Sequence, residues 1–194
     1  MNTESFGNQS EYHINLKGTR KVILYIATSL DGFIAKPDGD IEYLNDMDRE
    51  GEDYGYSDFI KTVDATIVGR KTYDKVLSMG YEFPHNDKDS YVITRTTRPS
   101  IGSVKFYTGS LKELVAKLKS EQGKNIFVDG GAEIVNELLL ENLIDEFYIS
   151  VIPILLGDGI LLFKGGNREL KLKLIDSKYF ESGLVQSHYV RVDI

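Results

Sequence analysis

From Lys21 onward, short apolar runs rich in β-branched residues alternate with segments that have the 3.6-residue period of amphipathic helices. This alternation constrains the fold more than any other feature, because parallel strands need long crossovers and helices usually form them. It predicts an α/β domain with a largely parallel sheet. The strands are predicted at residues 21–29, 65–69, 90–94, 104–107 and 125–128, and the helices at residues 54–62, 71–79, 110–120 and 131–141.

The chain changes character after residue 143, where only strands are predicted. The apolar run 147–156 is predicted to be one long strand. Two further strands, at 171–180 and 184–192, flank a Glu-Ser-Gly turn and predict an antiparallel hairpin. The sheet is therefore predicted to be mixed, with mainly parallel strands first and the antiparallel hairpin last. Helix-end signals are a capping box from Ser110 and Glu113 and a C-terminal stop at Asn142.

Composition restricts the functional classes. The chain of 194 residues has no cysteine, which excludes disulfides, thiolate nucleophiles and cysteine-based zinc sites. With 30 acidic against 23 basic residues and no basic block, it is a poor candidate for nucleic-acid binding. It shows neither a membrane-spanning apolar run nor a signal peptide, so a cytoplasmic protein is expected. Residues 1–20 are interpreted as a mobile polar arm and 21–194 as one domain.

The negative charge is concentrated in residues 38–58. This segment has nine acidic residues and one base, Arg49, for a local net charge of −8, whereas the whole chain has −7. The remainder is therefore nearly neutral, at +1. An acidic segment beside a binding site would disfavour a phosphorylated substrate and favour a neutral or cationic one.

Polar and glycine-rich motifs follow four of the predicted strands. They are 27–35 (ATSLDGFIA), 69–72 (GRKT), 94–98 (TRTTR) and 129–132 (DGGA). Ligands of open α/β sheets bind beyond the carboxyl ends of the strands, where helix N-termini favour anions. Glycines permit close approach to a phosphate, and arginine and lysine complement its charge. Each motif alone is equally compatible with a plain turn or a solvated loop, and none is the G-x-G-x-x-G fingerprint.

Taken together and in this order, the motifs resemble those of the dihydrofolate-reductase-like superfamily. The resemblance includes residues 153–159 (PILLGDG) and Phe163, and it covers about residues 20–193. Within the superfamily the chain looks most like the reductase domain of the bifunctional riboflavin-biosynthesis deaminase–reductase, the RibD C-terminal domain, and its stand-alone relatives. The resemblance implies a three-layer α/β/α domain that binds NADPH and forms a homodimer.

The resemblance also implies residue roles and a cis bond between Gly130 and Gly131. Residues 27, 28 and 34 would contact the nicotinamide, 69–72 the phosphates, 94–96 the adenosine with its 2′-phosphate, and 130–134 the pyrophosphate. The implied NADPH-binding residues are Ala27, Thr28, Ile34, Gly69, Arg70, Lys71, Thr72, Thr94, Arg95, Thr96, Gly130, Gly131, Ala132, Glu133 and Ile134. The implied substrate-binding residues are Asp129, Ile41, Tyr43 and Asp53.

The sequence departs from the riboflavin reductases where they hold the ribose phosphate of the substrate. Those enzymes use arginines there, whereas this chain offers only Lys61 on the helix and no cation in the loop 80–87. Lys61 would substitute as a point charge without the planar fork of arginine. Tyr43 replaces a tryptophan usual in the family. Asp48, Asp53 and Asp58 are equal candidates for the carboxylate that holds the ring in dihydrofolate reductases.

The sequence thus favours an NADPH-dependent reductase that transfers hydride to a pyrimidine-like or pterin-like small molecule, resembling 5-amino-6-(5-phosphoribosylamino)uracil reductase and dihydrofolate reductase. Asp129 is the first candidate for holding the ring and supplying a proton, and Asp31 is the second. Asp31 is equally compatible with an Asx turn. The alternatives are a nucleotide-binding protein of the same fold without turnover, and an interaction protein in which the motifs coincide by chance.

The three histidines suggest no metal site, because no two of them have metal-ligand spacing. His13 falls in the arm, His85 in a polar loop and His188 in a C-terminal strand, where a satisfied edge position is expected. The aromatic residues of the last two strands are predicted to form either a dimer surface or part of the core; they are Tyr179, Phe180 and Tyr189.

Overall fold

The computed structural model describes residues 20–166 and 168–192. The larger sheet has eight strands, and two short strands form a second sheet. The strands are β1 (Val22–Ser29), β2 (Phe33–Ala35), β3 (Val63–Gly69), β4 (Asp89–Ile93), β5 (Val104–Tyr107), β6 (Asn125–Gly130), β7 (Glu146–Ile152), β8 (Ile160–Leu161), β9 (Leu172–Tyr179) and β10 (Val185–Arg191). The helices are α1 (Tyr56–Lys61), α2 (Arg70–Ser78), α3 (Leu111–Ser120) and α4 (Ala132–Leu140), with a 3₁₀ helix at Glu42–Met47.

The order of the strands in the large sheet is β5-β4-β3-β6-β1-β7-β10-β9. The first six strands of this order run parallel to one another. β10 is antiparallel to both β7 and β9, and the turn between β9 and β10 includes Gly183 at a φ of 84°. The predicted mixed sheet with an antiparallel C-terminal hairpin is confirmed.

The helices cover both faces of the sheet and give the predicted three layers. On one face α3 and α4 bury an apolar stripe against β1, β3 and β6, with Leu114 and Leu138 fully enclosed. On the other face Phe59 of α1 and Tyr73 of α2 lie in two smaller clusters. Burying one large apolar side chain contributes about 1.5–3 kcal/mol, so this packing fixes the strand ends on which the site is built.

Three local predictions are wrong. β7 ends at Ile152 rather than at residue 156, because Pro153 lacks the N–H that a ladder needs. β6 extends to Gly130, so that the DGGA motif begins inside the strand. Ser110 is the N-cap of α3, but its side chain makes no capping hydrogen bond. Its carbonyl instead accepts the N–H of Leu114 and the hydroxyl of Tyr107.

The two ends of the predicted domain behave differently. The arm assigned to residues 1–20 lies outside the described residues except for Arg20, which belongs to the fold. Its guanidinium is buried, forms an ion pair with Asp64 and donates to the carbonyl oxygens of Leu118 and Lys124. Asn142 ends α4 in the left-handed region, at a φ of 56°, as predicted.

Candidate functional site

The carboxyl ends of β4, β3, β6 and β1 lie side by side at one edge of the sheet, because these neighbouring strands are parallel. Gly69 pairs with Ile93 at the end of β4, and Val68 pairs with Gly130 at the end of β6. All four sequence motifs follow these strand ends. The fold therefore brings them to one place, which no single motif could establish.

Two helix N-termini meet at this edge. Gly69 is the N-cap of α2 and Gly131 is the N-cap of α4. A methyl group on Gly69 would lie 3.1 Å from Cγ1 of Ile134, and one on Gly131 would lie 3.0 Å from Oγ1 of Thr72. Within the described part of the chain, neither N-cap forms a side-chain hydrogen bond. The free N–H groups and positive ends of both helices are thus available to an anion.

The backbone between β6 and α4 adopts a conformation that requires glycine. Gly130 has a φ of 101°, a conformation that a side chain would strain, and the Gly130–Gly131 peptide bond is cis, as the resemblance implies. Ala132 and Ile134, in the first turn of α4, are buried. The main chain of Gly130 and Gly131 therefore lies close to the N-terminus of α2, with the side chains of Ile134 and Thr72 packed against the two N-cap glycines.

Several charged side chains surround the two N-termini. Arg70 pairs with Asp74 at 2.5 Å along α2, and Lys71 pairs with Glu133 of α4 at 3.0 Å. The Lys71 hydrogen bond lowers the pKa of the Glu133 carboxyl, and the nearby charge of Arg95 also contributes. Arg95 is exposed. Among the described residues no acid is bonded to Arg95, which distinguishes this predicted cofactor-binding cation from Arg70 and Lys71.

The other predicted cofactor residues lie around the same edge. Thr94 is buried, and its hydroxyl accepts the N–H of Thr96 at 3.2 Å. Thr28 is buried near the end of β1, and Ala27 beside it is half-buried. Ile34 lies in β2 and packs against the main core. Their positions place a polar loop at one end of the edge and small or apolar side chains at the other.

Asp31 ties the loop after β1 to the loop after β7. Its Oδ1 accepts the hydroxyl of Ser29 at 2.5 Å and the N–H of Leu156 at 3.1 Å, and its Oδ2 accepts the N–H of Gly157 at 2.7 Å. The Ser29 hydrogen bond, with those from the main chain, lowers the pKa of the Asp31 carboxyl. A carboxyl held in its ionised form is a poor proton donor, so these contacts favour a structural role for Asp31.

We expect the Asp31→Asn variant to unfold a few degrees below the wild type at pH 7. Because the folded state lowers the pKa of Asp31, its stabilising effect is complete above the unfolded-state pKa of about 4 and is lost as the pH falls through the folded value. Thermal melts at pH 7 and pH 3 should therefore show a smaller difference at pH 3. Glu50→Gln, in an exposed turn, is the control. An equal difference at both pH values would contradict the assignment.

Most predicted substrate residues in the acidic segment are engaged in local structure. Asp53 accepts the N–H groups of Gly55 at 2.9 Å and Ser57 at 3.0 Å. The side chain of Ser57, followed by these two N–H groups, lowers the pKa of the Asp53 carboxyl. Asp58 pairs with Lys61 at 2.8 Å, so that the lysine predicted to hold a phosphate is already bonded to an acid.

Two further predicted substrate residues belong to the support of the site. Tyr43 is buried and donates its hydroxyl to the Phe33 carbonyl at 3.2 Å. Burial, with the charge of Asp31, raises the pKa of Tyr43 to about 12. Ile41 is half-buried directly before the 3₁₀ helix. The hydroxyl of Tyr43 thus ties the segment 42–47 to β2, which supports a structural role for this side chain.

Asp129 has neighbours that sequence reasoning missed. Nε2 of His85 lies 3.3 Å from its Oδ2. The imidazole of His85 is buried, although the sequence assigned it to a solvated polar loop. Burial raises the pKa of the Tyr56 phenol, and the charge of Asp129 adds to this effect, which places Tyr56 close to the same carboxylate. The sequence offers one indication that His85 is buried: it follows Phe83 by two residues, and an apolar residue in a polar loop suggests that the loop packs onto the core.

An aromatic wall lies on the sheet face below Asp129. Tyr25 stacks on Phe59 with ring centres 4.5 Å apart and on Tyr148 at 5.5 Å, and Tyr56 meets it edge-on at 5.7 Å. The hydroxyl of Tyr25 accepts the side-chain amide of Gln186 at 2.9 Å and donates to the main-chain carbonyl of Tyr54. These rings pack on one another, and Asp129 lies at their level in the sheet because Val128, the residue before it, pairs with Leu24, the residue before Tyr25.

His188 makes structural contacts beside the aromatic wall. It stacks on Tyr148 at 4.0 Å and bonds to the buried Glu146 at 3.0 Å, as expected for a satisfied histidine. The predicted edge position is wrong, because β10 lies between β7 and β9. Phe180 packs in a core cluster, whereas Tyr179 is 88% exposed. Among the described residues no group of three or more His, Asp and Glu side chains could hold a metal ion. No helix within them is long and apolar enough to cross a membrane.

Comparison with known proteins agrees with this geometry. Residues 20–186 match the RibD C-terminal domain family. YwjB of Bacillus subtilis (strain 168), an uncharacterized protein, is 48% identical over 173 residues, which is 89% of this chain and 98% of YwjB. A protein from Shewanella sp. PV-4 assigned to riboflavin biosynthesis superposes with a TM-score of 0.81 at 32% identity, covering 89% of this chain and 99% of that one.

Dihydrofolate reductase from Enterococcus faecalis, solved in complex with NADP(H), has the same fold. Its TM-score is 0.60 at 17% identity, with 89% of this chain and 97% of that one covered. The resemblance drawn from the sequence motifs is thus confirmed: the chain belongs to the RibD C-terminal domain family, whose fold is that of a group of reductases.

Proposed function

We propose that this member of the RibD C-terminal domain family is an NADPH-dependent reductase that transfers hydride to an unphosphorylated pyrimidine-like or pterin-like ring. The observation that carries the proposal is the meeting of two uncapped helix N-termini, α2 and α4, beside the exposed Arg95 at the carboxyl edge of the sheet. Family membership supports a reductase. The cytoplasm and a homodimer are part of the proposal, the latter supported by exposed Leu174 and Tyr179 on β9.

The residues at this edge fit a dinucleotide. The backbones of Gly69 and Gly131 lie so close together that a Cβ on Gly69 would come within 3.5 Å of the nitrogen of Gly131, which brings the N–H groups of the two helix N-termini side by side. Residues 69–72 and 130–134 would hold the phosphates through these N–H groups. Arg95, with Thr94 and Thr96, would hold the 2′-phosphate. Ala27, Thr28 and Ile34 would border the nicotinamide.

The cofactor, when bound, supplies a hydride. The side chains of the protein then have to hold the acceptor ring, exclude water and deliver a proton to the atom next to the one that is reduced. The wall formed by Tyr25, Tyr56 and Tyr148 would support the ring, and Asp129 would bind its N–H groups and donate the proton. Tyr56, whose phenol stays neutral because burial raises its pKa, adds no charge to this place.

The charges around the site favour an acceptor without a phosphate. The described residues bring no arginine to Asp129, and Lys61 is already bonded to Asp58. Burial raises the pKa of the Tyr25 phenol, and the nearby charges of Asp53 and Glu52 add to this effect. A phosphorylated ribose would meet like charge here, whereas a neutral or cationic ring would not.

The function is tested by fluorescence titration with NADPH and NADH, followed by NADPH oxidation with three acceptors. These are dihydrofolate, 5-amino-6-(5-phosphoribosylamino)uracil and its dephosphorylated form. We expect tight binding of NADPH and preferential reduction of an acceptor without a phosphate. Tight NADPH binding with no oxidation by any acceptor would favour the nucleotide-binding alternative without turnover. Absence of binding to either nucleotide would rule out both.

We expect the Arg95→Ala variant to bind NADPH about tenfold more weakly and NADH with unchanged affinity, because a charge-assisted contact to phosphate contributes about 1.4 kcal/mol or more. The measurement is the dissociation constant of each nucleotide. Arg98→Ala is the matched control, since Arg98 lies in the same loop but its guanidinium sits 5.6 Å over the ring of Phe106. An unchanged NADPH affinity in Arg95→Ala would refute the assignment of the 2′-phosphate.

A further inference from the structure

We propose that His85 is a positioning residue that orients the Asp129 carboxyl and replaces the proton which Asp129 delivers to the substrate. This inference rests on the proposed reductase function and adds to it a second member of the proton path. The sequence placed His85 in a polar loop, and the structure buries its ring against the carboxylate of Asp129.

The ring of His85 is enclosed between two aromatic side chains. Phe83 and Phe127 meet it edge-on with centroid distances of 5.2 and 5.5 Å, and its side chain is 3% exposed. Its Nε2 lies 3.3 Å from Oδ2 of Asp129. Because the side chain of Asp129 is 25% exposed, one end of the pair is enclosed and the other reaches the site.

The main chain of His85 is fixed equally well. Its carbonyl accepts the hydroxyl of Ser90 at 2.9 Å and the N–H of Lys88 at 3.1 Å. The Ser90 hydroxyl in turn accepts the hydroxyl of Thr66 at 2.9 Å, and both of these residues are buried. The loop that carries His85 is thus anchored to β3 and β4, and the imidazole has little freedom to leave the carboxylate.

The charged groups around His85 come from β6 and from its own loop. Asp129 of β6 contacts the ring, and Asp87 of the loop acts on it through its charge and is paired with Lys88. Tyr56 of α1 is near the charges of Asp129 and Asp87. Asp129 and Asp87 favour an imidazolium, although the pairing of Lys88 with Asp87 at 3.0 Å reduces the contribution of Asp87. Tyr56 is neutral. Asp129 is the acid in direct contact with the imidazole, with 3.3 Å between Nε2 and Oδ2.

The proton path follows from this pairing. Hydride adds to a carbon of the acceptor ring, and the adjacent nitrogen takes a proton from the Asp129 carboxyl. The carboxylate regains a proton from the His85 imidazolium, and water reprotonates the imidazole through Asp129, the exposed end of the pair, so that one substrate, one NADPH and one proton give the reduced product and NADP⁺. An isolated aspartate is ionised at neutral pH and would rarely carry the required proton. Histidine is the side chain that gains and loses a proton in this range.

The test that needs no substrate is an NMR titration of protein with ¹⁵N-labelled histidine, in which His85→Gln identifies the His85 signals. We expect the titration midpoint of His85 to fall by at least half a pH unit in Asp129→Asn, because the neutral amide no longer favours the imidazolium. Asp58→Asn is the matched control and should leave the midpoint in place. A smaller fall, or a rise, in Asp129→Asn would overturn the pairing.

The second readout is the pH profile of NADPH oxidation with the acceptor that the wild type reduces best. We expect the activity of His85→Gln to fall between pH 6 and pH 8 by a factor at least five times larger than the factor by which the wild-type activity falls. The NADPH affinity of the variant should be unchanged. A parallel profile would overturn the role in proton delivery, since lost packing alone lowers activity equally at both pH values. If the wild type binds no NADPH, the reductase proposal fails, whereas the NMR result still decides whether His85 and Asp129 are coupled.

Discussion

The Gly69→Val variant is expected to bind NADPH at least tenfold more weakly than the wild type while remaining folded. A Cβ on Gly69 would lie 3.1 Å from Ile134 Cγ1 and 3.5 Å from the nitrogen of Gly131, and valine adds two more methyl groups in the same space. The N-termini of α2 and α4 must then separate, and the branched side chain covers N–H groups that a phosphate would use. Tenfold in affinity corresponds to about 1.4 kcal/mol.

The matched control is Gly165→Val, since Gly165 has no atom within 4 Å of a Cβ. Overpacking typically costs 1–3 kcal/mol of stability, so thermal melts of both variants separate loss of fold from loss of binding. The expected pattern is a folded Gly69→Val with weak NADPH binding and a Gly165→Val that binds like the wild type. An NADPH dissociation constant within twofold of the wild type in a folded Gly69→Val would show that the nucleotide lies elsewhere.

The sequence carries enough information for the parallel part of the sheet because its signals are local. Val104–Tyr107 was predicted to the residue, and the stripe of α3 that includes Leu114 is buried as its period requires. Each of these patterns can be read from the spacing of apolar residues within one segment, without knowledge of the rest of the chain. The four strand-end motifs then had to converge, because neighbouring parallel strands end at the same edge.

The parts that sequence reasoning missed depend on contacts between distant segments. His85 is buried because a loop folds onto Phe127, which is 42 positions away along the chain, and loop composition does not encode that contact. Asp31 and Asp53 looked like candidates for chemistry because an acid before a glycine-rich turn has the same sequence in either role. Only the hydrogen bonds to Gly157 and to Ser57 distinguish the structural role.

Asp129→Asn is expected to lower kcat/KM for NADPH oxidation by at least 100-fold and to leave NADPH affinity within twofold. General acid catalysis typically contributes between 10²- and 10⁴-fold, and an amide of the same shape has no proton of the required acidity. A 100-fold loss corresponds to about 2.7 kcal/mol in the activation free energy. Since Asn keeps the size of the side chain, packing on Tyr56 and His85 should change little.

Asp58→Asn is the control for charge, because Asp58 belongs to the neighbouring acidic segment but is exposed and bonded to Lys61. It should retain activity within threefold. A loss of less than tenfold in Asp129→Asn would exclude Asp129 as the proton donor even if NADPH binds at the two N-termini. The two substitutions therefore test the two halves of the site separately. Gly69→Val tests where the nucleotide binds, and Asp129→Asn tests whether the protein donates the proton that accompanies hydride transfer.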